Sequence, residues 1–176
     1  MASGAHGVVV RRLGAADLER YGALRLEMLA ESPWAFGSSP GQDRGSDPEH
    51  MRRVLSGGPT LEHAVIGAAE GDGRLVSVAG VMRETALKRR HIASIFGVYT
   101  TPSARGRGLG QQVVATALHL ARSWAGVEWA QLSVSARGAA AQRLYASLGF
   151  VAWGTEPDAL RVDGVGYAET HMCVRL

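Results

Sequence analysis

The segment Arg105-Gly106-Arg107-Gly108-Leu109-Gly110 carries the clearest chemical signal in the chain. Glycines in a turn allow positive φ and let the backbone come close to a ligand. A helical spacing of apolar residues begins at Leu109. The first four N–H groups of a helix lack partners within it, and the helix dipole favours negative charge there. Strand, glycine-rich turn and helix therefore read as a cradle for an anion, a pyrophosphate above all. The other reading is a plain flexible turn in a chain rich in glycine and arginine. Spacing separates the known cradles. A triphosphatase loop places lysine and then serine or threonine after its last glycine, whereas Gln111 and Gln112 follow Gly110. A dinucleotide fingerprint needs a third glycine where Gln111 stands. The pattern that fits is Arg-x-x-Gly-x-Gly, realised as Arg105, Gly108 and Gly110.

Such a turn works only if a strand delivers it and a helix follows. His91 to Thr100, with the mostly apolar core Ala93 to Tyr99, predicts a central strand. Thr101-Pro102-Ser103 is a turn, and a long amphipathic helix runs from Leu109 to near Gly126. Upstream, Val8 to Arg12 predicts a short strand, and Leu18 to Leu29 a helix that stops near Ser32-Pro33. Residues 34–48 read as a loop; Asp47-Pro48-Glu49 opens a second helix to about Leu55, closed by Ser56-Gly57-Gly58-Pro59. Leu61 to Glu70 and Arg74 to Met82 flank Gly71-Asp72-Gly73, which predicts a hairpin. Downstream come a strand at Glu128–Ser135, a helix at Ala139–Leu148, and strands at Val151–Gly154 and Gly166–Val174. A mixed sheet covered by helices is the packing this order requires, with right-handed crossovers after His91.

Composition narrows the classes. The chain has 176 residues, of which 46% are hydrophobic and 20% charged. That profile excludes wholly disordered and collagen-like chains and predicts one domain over 1–176, with 1–7 as a mobile terminus. Its single cysteine, Cys173, excludes an internal disulfide and a four-cysteine zinc site. No run of 18 apolar residues predicts a membrane span, and the N-terminus lacks the pattern of a secretory signal, so a cytoplasmic location is expected. A net charge of +3, carried by arginines apart from Lys88, shows no basic stripe interleaved with aromatics. Nucleic acid is therefore not an expected partner.

Val98 to Gly110 resembles the acetyl-coenzyme-A loop of the GCN5-related N-acetyltransferase superfamily. A second match at that family's spacing is Ala141-Gln142-Arg143-Leu144-Tyr145-Ala146-Ser147-Leu148-Gly149-Phe150. Arg11 to Leu26, Ser32-Pro33 and Ala35 to Ser39 also resemble its first strand and helices, so the likeness touches nearly the whole chain. It implies an α/β fold with a mixed, mostly antiparallel central sheet of six to seven strands and about four flanking helices. It implies acetyl-CoA as co-substrate and an amine as acceptor, in a monomer or homodimer.

Residue by residue, the resemblance gives Val98, Tyr99 and Thr100 the strand end whose free backbone pairs with the pantetheine arm. It gives the amides of Gly106, Gly108 and Gly110, with Arg107, Leu109 and Gln111, the pyrophosphate, and Arg105 or Arg107 a charged contact. Tyr145 stands where the family often has an acid for the leaving thiolate; a buried helical tyrosine is the structural alternative. Two departures stand out. Gly138 occupies the position of a frequent cofactor-binding asparagine, leaving backbone or Ser135 to make that contact. The central strand carries no carboxylate to act as general base. His91, Ser94, Glu84, Glu27, Glu31 and His171 are candidates, and an ordered water chain is the alternative. These departures keep a non-catalytic acyl-CoA-binding module open as a second function. The acceptor is expected at Met28–Pro48 and Thr155–Tyr167, where Glu31, Asp43, Asp47, Glu156, Asp158 and Asp163 would attract a cation. Trp34, Trp124, Trp129 and Trp153 are expected in the core or as acceptor-pocket walls, and Lys88-Arg89-Arg90 as a solvated turn.

Overall fold

Two faces of one sheet are buried, which is why the middle strands read as nearly unbroken apolar runs. The computed structural model describes residues 7–43, 45, 47–57 and 62–176. The elements are β1 (Val9–Arg12), α1 (Leu18–Glu31), α2 (Pro48–Ser56), β2 (His63–Ala69), β3 (Leu75–Arg83), β4 (Ile92–Thr100), α3 (Leu109–Arg122), β5 (Trp129–Ser135), α4 (Ala139–Ser147), β6 (Val151–Val162) and β7 (Val165–Arg175). Among the described residues the strands form one seven-stranded sheet in the order β1-β2-β3-β4-β5-β7-β6. All neighbours are antiparallel except β4 and β5, which are joined by the α3 crossover. The expected fold class is the observed one. Leu61, Gly58 and Pro59, where the sequence predicts a strand start and a helix end, lie outside the described residues, as do 1–6. No helix among the described residues is long and apolar enough to cross a membrane.

On one face α3 packs Val113, Val114, Ala117 and Ala121 onto Ile66, Val76, Ala79 and Val81. On the other, α1 and α2 place Tyr21, Leu24, Met28, Leu29, Met51 and Val54 against Val65, Leu75, Val78 and Tyr99. Helix α2 starts where the sequence predicts, because the Asp47 carboxylate accepts the Glu49 N–H at 3.0 Å and Pro48 fills the first helical position.

One prediction is corrected. The stretch Thr155–Tyr167 is not a loop between short strands. β6 and β7 run on as a long hairpin. Its turn is Asp163-Gly164, with φ of 50° and 79°, the positive-φ pair that matches strand twist. The glycine, proline and aspartate content that suggested a loop is absorbed by a register shift between Glu156 and Leu160.

Candidate active site

A β-bulge opens the sheet. Val78 pairs with Tyr99 and Gly80 with Phe96, so one residue of β3 faces both Gly97 and Val98. Gly97 takes φ of +56°, a left-handed conformation that glycine adopts without steric cost. Gly80 is equally required: a Cβ there would run into the Phe96 ring. β4 pairs with β5 only through Ile92, Ala93 and Ser94. Beyond Ser94 the two strands part, while β5 stays paired with β7 as far as Ser135. The end of β4 remains tied to β3, with Ser77 Oγ donating to the Tyr99 carbonyl at 3.0 Å and Thr101 N–H to the Val76 carbonyl at 2.9 Å. Its other edge, from Ile95 to Thr100, has no partner on β5.

Three cavities meet in this opening. The first, of about 630 Å³, is lined by Val98, Tyr99, Thr100, Arg105, Gly106, Gly108, Leu109, Gly110, Gln111 and Tyr145. A central one of about 110 Å³ shares Trp34, Phe36, Val98 and Tyr145 with it. A third, of about 520 Å³ on the far side, shares Phe96, Gly97 and Ser133 with the central one. A passage thus crosses the sheet between the parted strands.

The glycine-rich turn has the local geometry that its sequence predicts. Gly106 and Gly108 have φ of 76° and 73°, and Gly108 is the N-cap of α3. No side chain caps that helix and no acid stands in its first turn. The first helical hydrogen bond is Gln112 N–H to the Gly108 carbonyl, which leaves the preceding amides of α3 for a ligand. Gly110 has a different role. A Cβ there would lie 2.9 Å from Leu144 Cδ1, so this glycine brings α3 against α4.

The predicted residues divide. Arg105 lines the first cavity, donates to Glu31 at 2.9 Å and to the Thr100 carbonyl at 3.1 Å, and lies 5.8 Å over the Tyr99 ring. Arg107 turns away and pairs with Glu70 at 2.7 Å. Ser135 lies off the first cavity; it lines the central one and its Oγ accepts the Arg137 N–H at 3.4 Å. Gly138 is tight: a Cβ would sit 3.1 Å from the Ser135 carbonyl oxygen. Arg143 of α4 also lines the first cavity, a residue that sequence reasoning quoted only as part of a motif.

Tyr145 is 6% exposed and lies edge-on to Phe150 at 5.8 Å. Burial pushes its phenol above the ordinary range. No buried side-chain polar atom among the described residues is orphaned, and the hydroxyl has no protein partner, so it opens onto the cavities it lines.

The candidate bases are also separated. Glu27 accepts from the Tyr99 hydroxyl at 3.0 Å and from Thr101 Oγ1, and lies behind β4. Desolvation, then that carboxylate, push the Tyr99 phenol upward. Glu31 is held below the usual carboxylate range by hydrogen bonds from Arg105 and then Ser32. Glu84 accepts from Ser94 at 2.6 Å and pairs with Arg89 at 3.5 Å, where β4 and β5 are still joined. His91 is exposed beside the start of β4. His171 lines the third cavity together with Glu169, Trp153 and Ser133. Of the expected acceptor acids, Asp43 forms a buried pair with Arg25, Asp158 pairs with Arg161, and Asp47 caps α2. Glu169, which the sequence reading passed over, lines the cavity instead. Burial raises its carboxyl, opposed by His171 and reinforced by Glu156.

The sequence profile described as the acetyltransferase (GNAT) family matches residues 26–150. No curated protein sequence matches the chain. Among solved structures, a GCN5-related N-acetyltransferase from Kribbella flavida is similar over 96% of this chain and 98% of its own, with 23% identity and a TM-score of 0.79. A ribosomal-protein-alanine N-acetyltransferase from Brucella melitensis aligns over 96% and 99%, at 22% identity and TM-score 0.79. A GNAT superfamily phosphinothricin acetyltransferase from Sinorhizobium meliloti, solved with acetyl-CoA, aligns over 96% and 88%, at 15% identity and TM-score 0.79. With a matching profile over residues 26–150 and this sheet, split after Ser94 with a glycine-rich turn at its mouth, the chain belongs to the GNAT acetyltransferase family.

Proposed function

We propose that the chain transfers an acetyl group from acetyl-CoA, the family's co-substrate, to a primary amine of a small molecule or peptide by direct attack in a ternary complex. The observation that carries this reading is the passage across the sheet: a first cavity under the glycine turn, a small central one at Tyr145, and a third beyond it. Two reactants entering from opposite sides would meet at the centre, which makes the reaction effectively unimolecular. Names of similar folds cover both phosphinothricin and a ribosomal-protein alanine, so the fold alone does not select the acceptor.

In this reading the unpaired edge of Val98 to Thr100 takes the amides of the pantetheine arm. The amides that begin α3 take the pyrophosphate, with the glycines supplying φ rather than space. Arg105 lines that cavity and supplies charge; Arg107, bound to Glu70, braces the turn. The Gly97–Val98 backbone borders the central cavity and would polarise the thioester carbonyl. The amine nitrogen bonds to that carbon, the carbon–sulfur bond breaks, the thiolate takes the Tyr145 proton, and the surplus proton on the new amide nitrogen passes back to the phenolate. The phenol's raised pKa keeps it protonated until the thiolate forms.

Calorimetry with acetyl-CoA, followed by thiol release across a panel of primary amines, tests the reading. Binding together with amine-dependent thiol release is expected. Binding without release on any amine would favour a non-catalytic acyl-CoA module, and no binding would overturn both.

A further inference from the structure

The third cavity has a built wall that the mechanism so far leaves unused. Ser133 of β5 and His171 of β7 stand directly opposite in the sheet register. Ser133 Oγ lies 2.7 Å from His171 Nδ1, and His171 Nε2 lies 3.4 Å from a Glu156 carboxylate oxygen on β6. The imidazole is stacked on Trp153, with centroids 5.2 Å apart and planes at 25°. Ser133 is the one of these residues that lines both the central and the outer cavity.

We propose that acceptor amines enter as ammonium ions through this outer cavity and lose their proton to a relay running from Ser133 through His171 to Glu156. The proposal rests on the acetyl-transfer reading above. The Glu156 carboxylate 3.4 Å from Nε2 favours a proton on that nitrogen of His171 by charge. Nδ1 is then the acceptor for the Ser133 hydroxyl. The ammonium gives a proton to Ser133 Oγ as the Ser133 proton passes to Nδ1. The amine lone pair is freed, and the resulting imidazolium faces the Glu156 carboxylate. Glu156 is 56% exposed, so the proton can leave to water from there. Tyr145 supplies the proton that the thiolate takes and recovers one from the nitrogen as the amide forms. The sum is ammonium plus thioester giving amide, thiol and one released proton.

The charges around the relay agree with a cationic guest. Glu156 faces His171 from β6, and Glu169 lines the cavity from β7 itself. From the turn before β4, Arg89 also lines it, but its guanidinium is paired with Glu84 at the end of β3. The remaining polar lining, Ser94 and Gln131, is neutral, and the two hydrogen-bond to each other at 3.2 Å. The partly buried Glu169 carboxyl, raised chiefly by desolvation, is a group that an ammonium ion would relieve. Ser133 is thus a catalytic residue, while His171 and Glu156 act through it as positioning residues.

The test is kcat/KM against pH for two acceptor probes, 1-aminobutane and glycinamide, whose amines differ by about two pKa units. The parent is expected to show the same acidic limb with both probes. Ser133→Ala and His171→Gln should lower kcat/KM near pH 7 by about 10²-fold, the lower range for general-base catalysis. Both should approach the parent at high pH, with a limb that now follows each amine's own pKa. Ser133→Thr should restore the parent profile, and acetyl-CoA affinity measured by calorimetry should be unchanged in every variant. A parent limb that already follows the amine, or unchanged profiles in both variants, would overturn the relay while leaving acetyl transfer standing. No thiol release by the parent with any primary amine of the panel would overturn both readings.

Discussion

The two sides of the passage are built in opposite ways. The side under the glycine turn comes from three short continuous segments, residues 31–36, 98–111 and 138–147. In the proposed reading its decisive groups are backbone amides, positioned by glycine conformation and by the start of one helix. The outer side is assembled mostly from side chains on β4, β5, β6 and β7, with Arg89 and the turn after α1, residues far apart in the chain. Backbone recognition tolerates little change in local conformation, whereas a surface made of single side chains can change one residue at a time. A shared co-substrate and a variable acceptor fit that division.

Targeted variants test how far this division holds. The largest effect is expected in the connection between α1 and α2. Arg25 and Asp43 form a buried ion pair, with Arg25 Nη2 2.6 Å from the carboxylate and the pair beneath Gly97. Asp43→Ala leaves a guanidinium buried without this carboxylate. It should cost about 3 kcal/mol in denaturant unfolding, near the lower end for breaking a buried pair. A loss below about 1 kcal/mol would mean the loop is held by other contacts.

Next is Tyr145→Phe. It should lower kcat by about 10²-fold with acetyl-CoA affinity unchanged, because only the proton is lost. An unaltered kcat would make the tyrosine a packing residue and assign thiolate protonation to water.

Gly108→Val should weaken acetyl-CoA binding by about tenfold in calorimetry. Left-handed φ costs a side-chain-bearing residue roughly 1–2 kcal/mol, and 1.4 kcal/mol is a factor of ten in affinity. Gly110→Val should instead lower Tm, since its Cβ meets Leu144 rather than a ligand. If the two variants gave the same phenotype, the contrast between turn and helix packing would fail.

The smallest effect lies outside both sides. Hydrogen bonds from Arg11 hold the buried Asp17 carboxyl at about 2. A depressed acid stabilises the fold above its unfolded value of about 3.9, and this is lost as pH falls through about 2. Because Arg11 is half exposed, Asp17→Asn should cost only about 1–2 kcal/mol at pH 7 and little below pH 2, read from unfolding curves. An equal loss at both pH values would assign the effect to packing.

Features that depend on neighbours along the chain could be read from the residues alone. The glycine turn and α3, the proline-capped α2, the β2–β3 hairpin and the Tyr145 helix are each specified within about a dozen residues by φ requirements, caps and apolar period. The likeness carried by residues 98–110 and 141–150 was legible for the same reason. The Asp163-Gly164 turn was equally local, yet the surrounding Gly, Pro and Asp masked it, and a long hairpin was read as a loop. Tertiary structure alone decided which arginine reaches the first cavity, because Glu31 and Glu70 lie 74 and 37 residues away from the arginines they hold. It alone set Ser133 opposite His171 and Glu156 beside that ring, since strand register rather than sequence spacing chooses such neighbours.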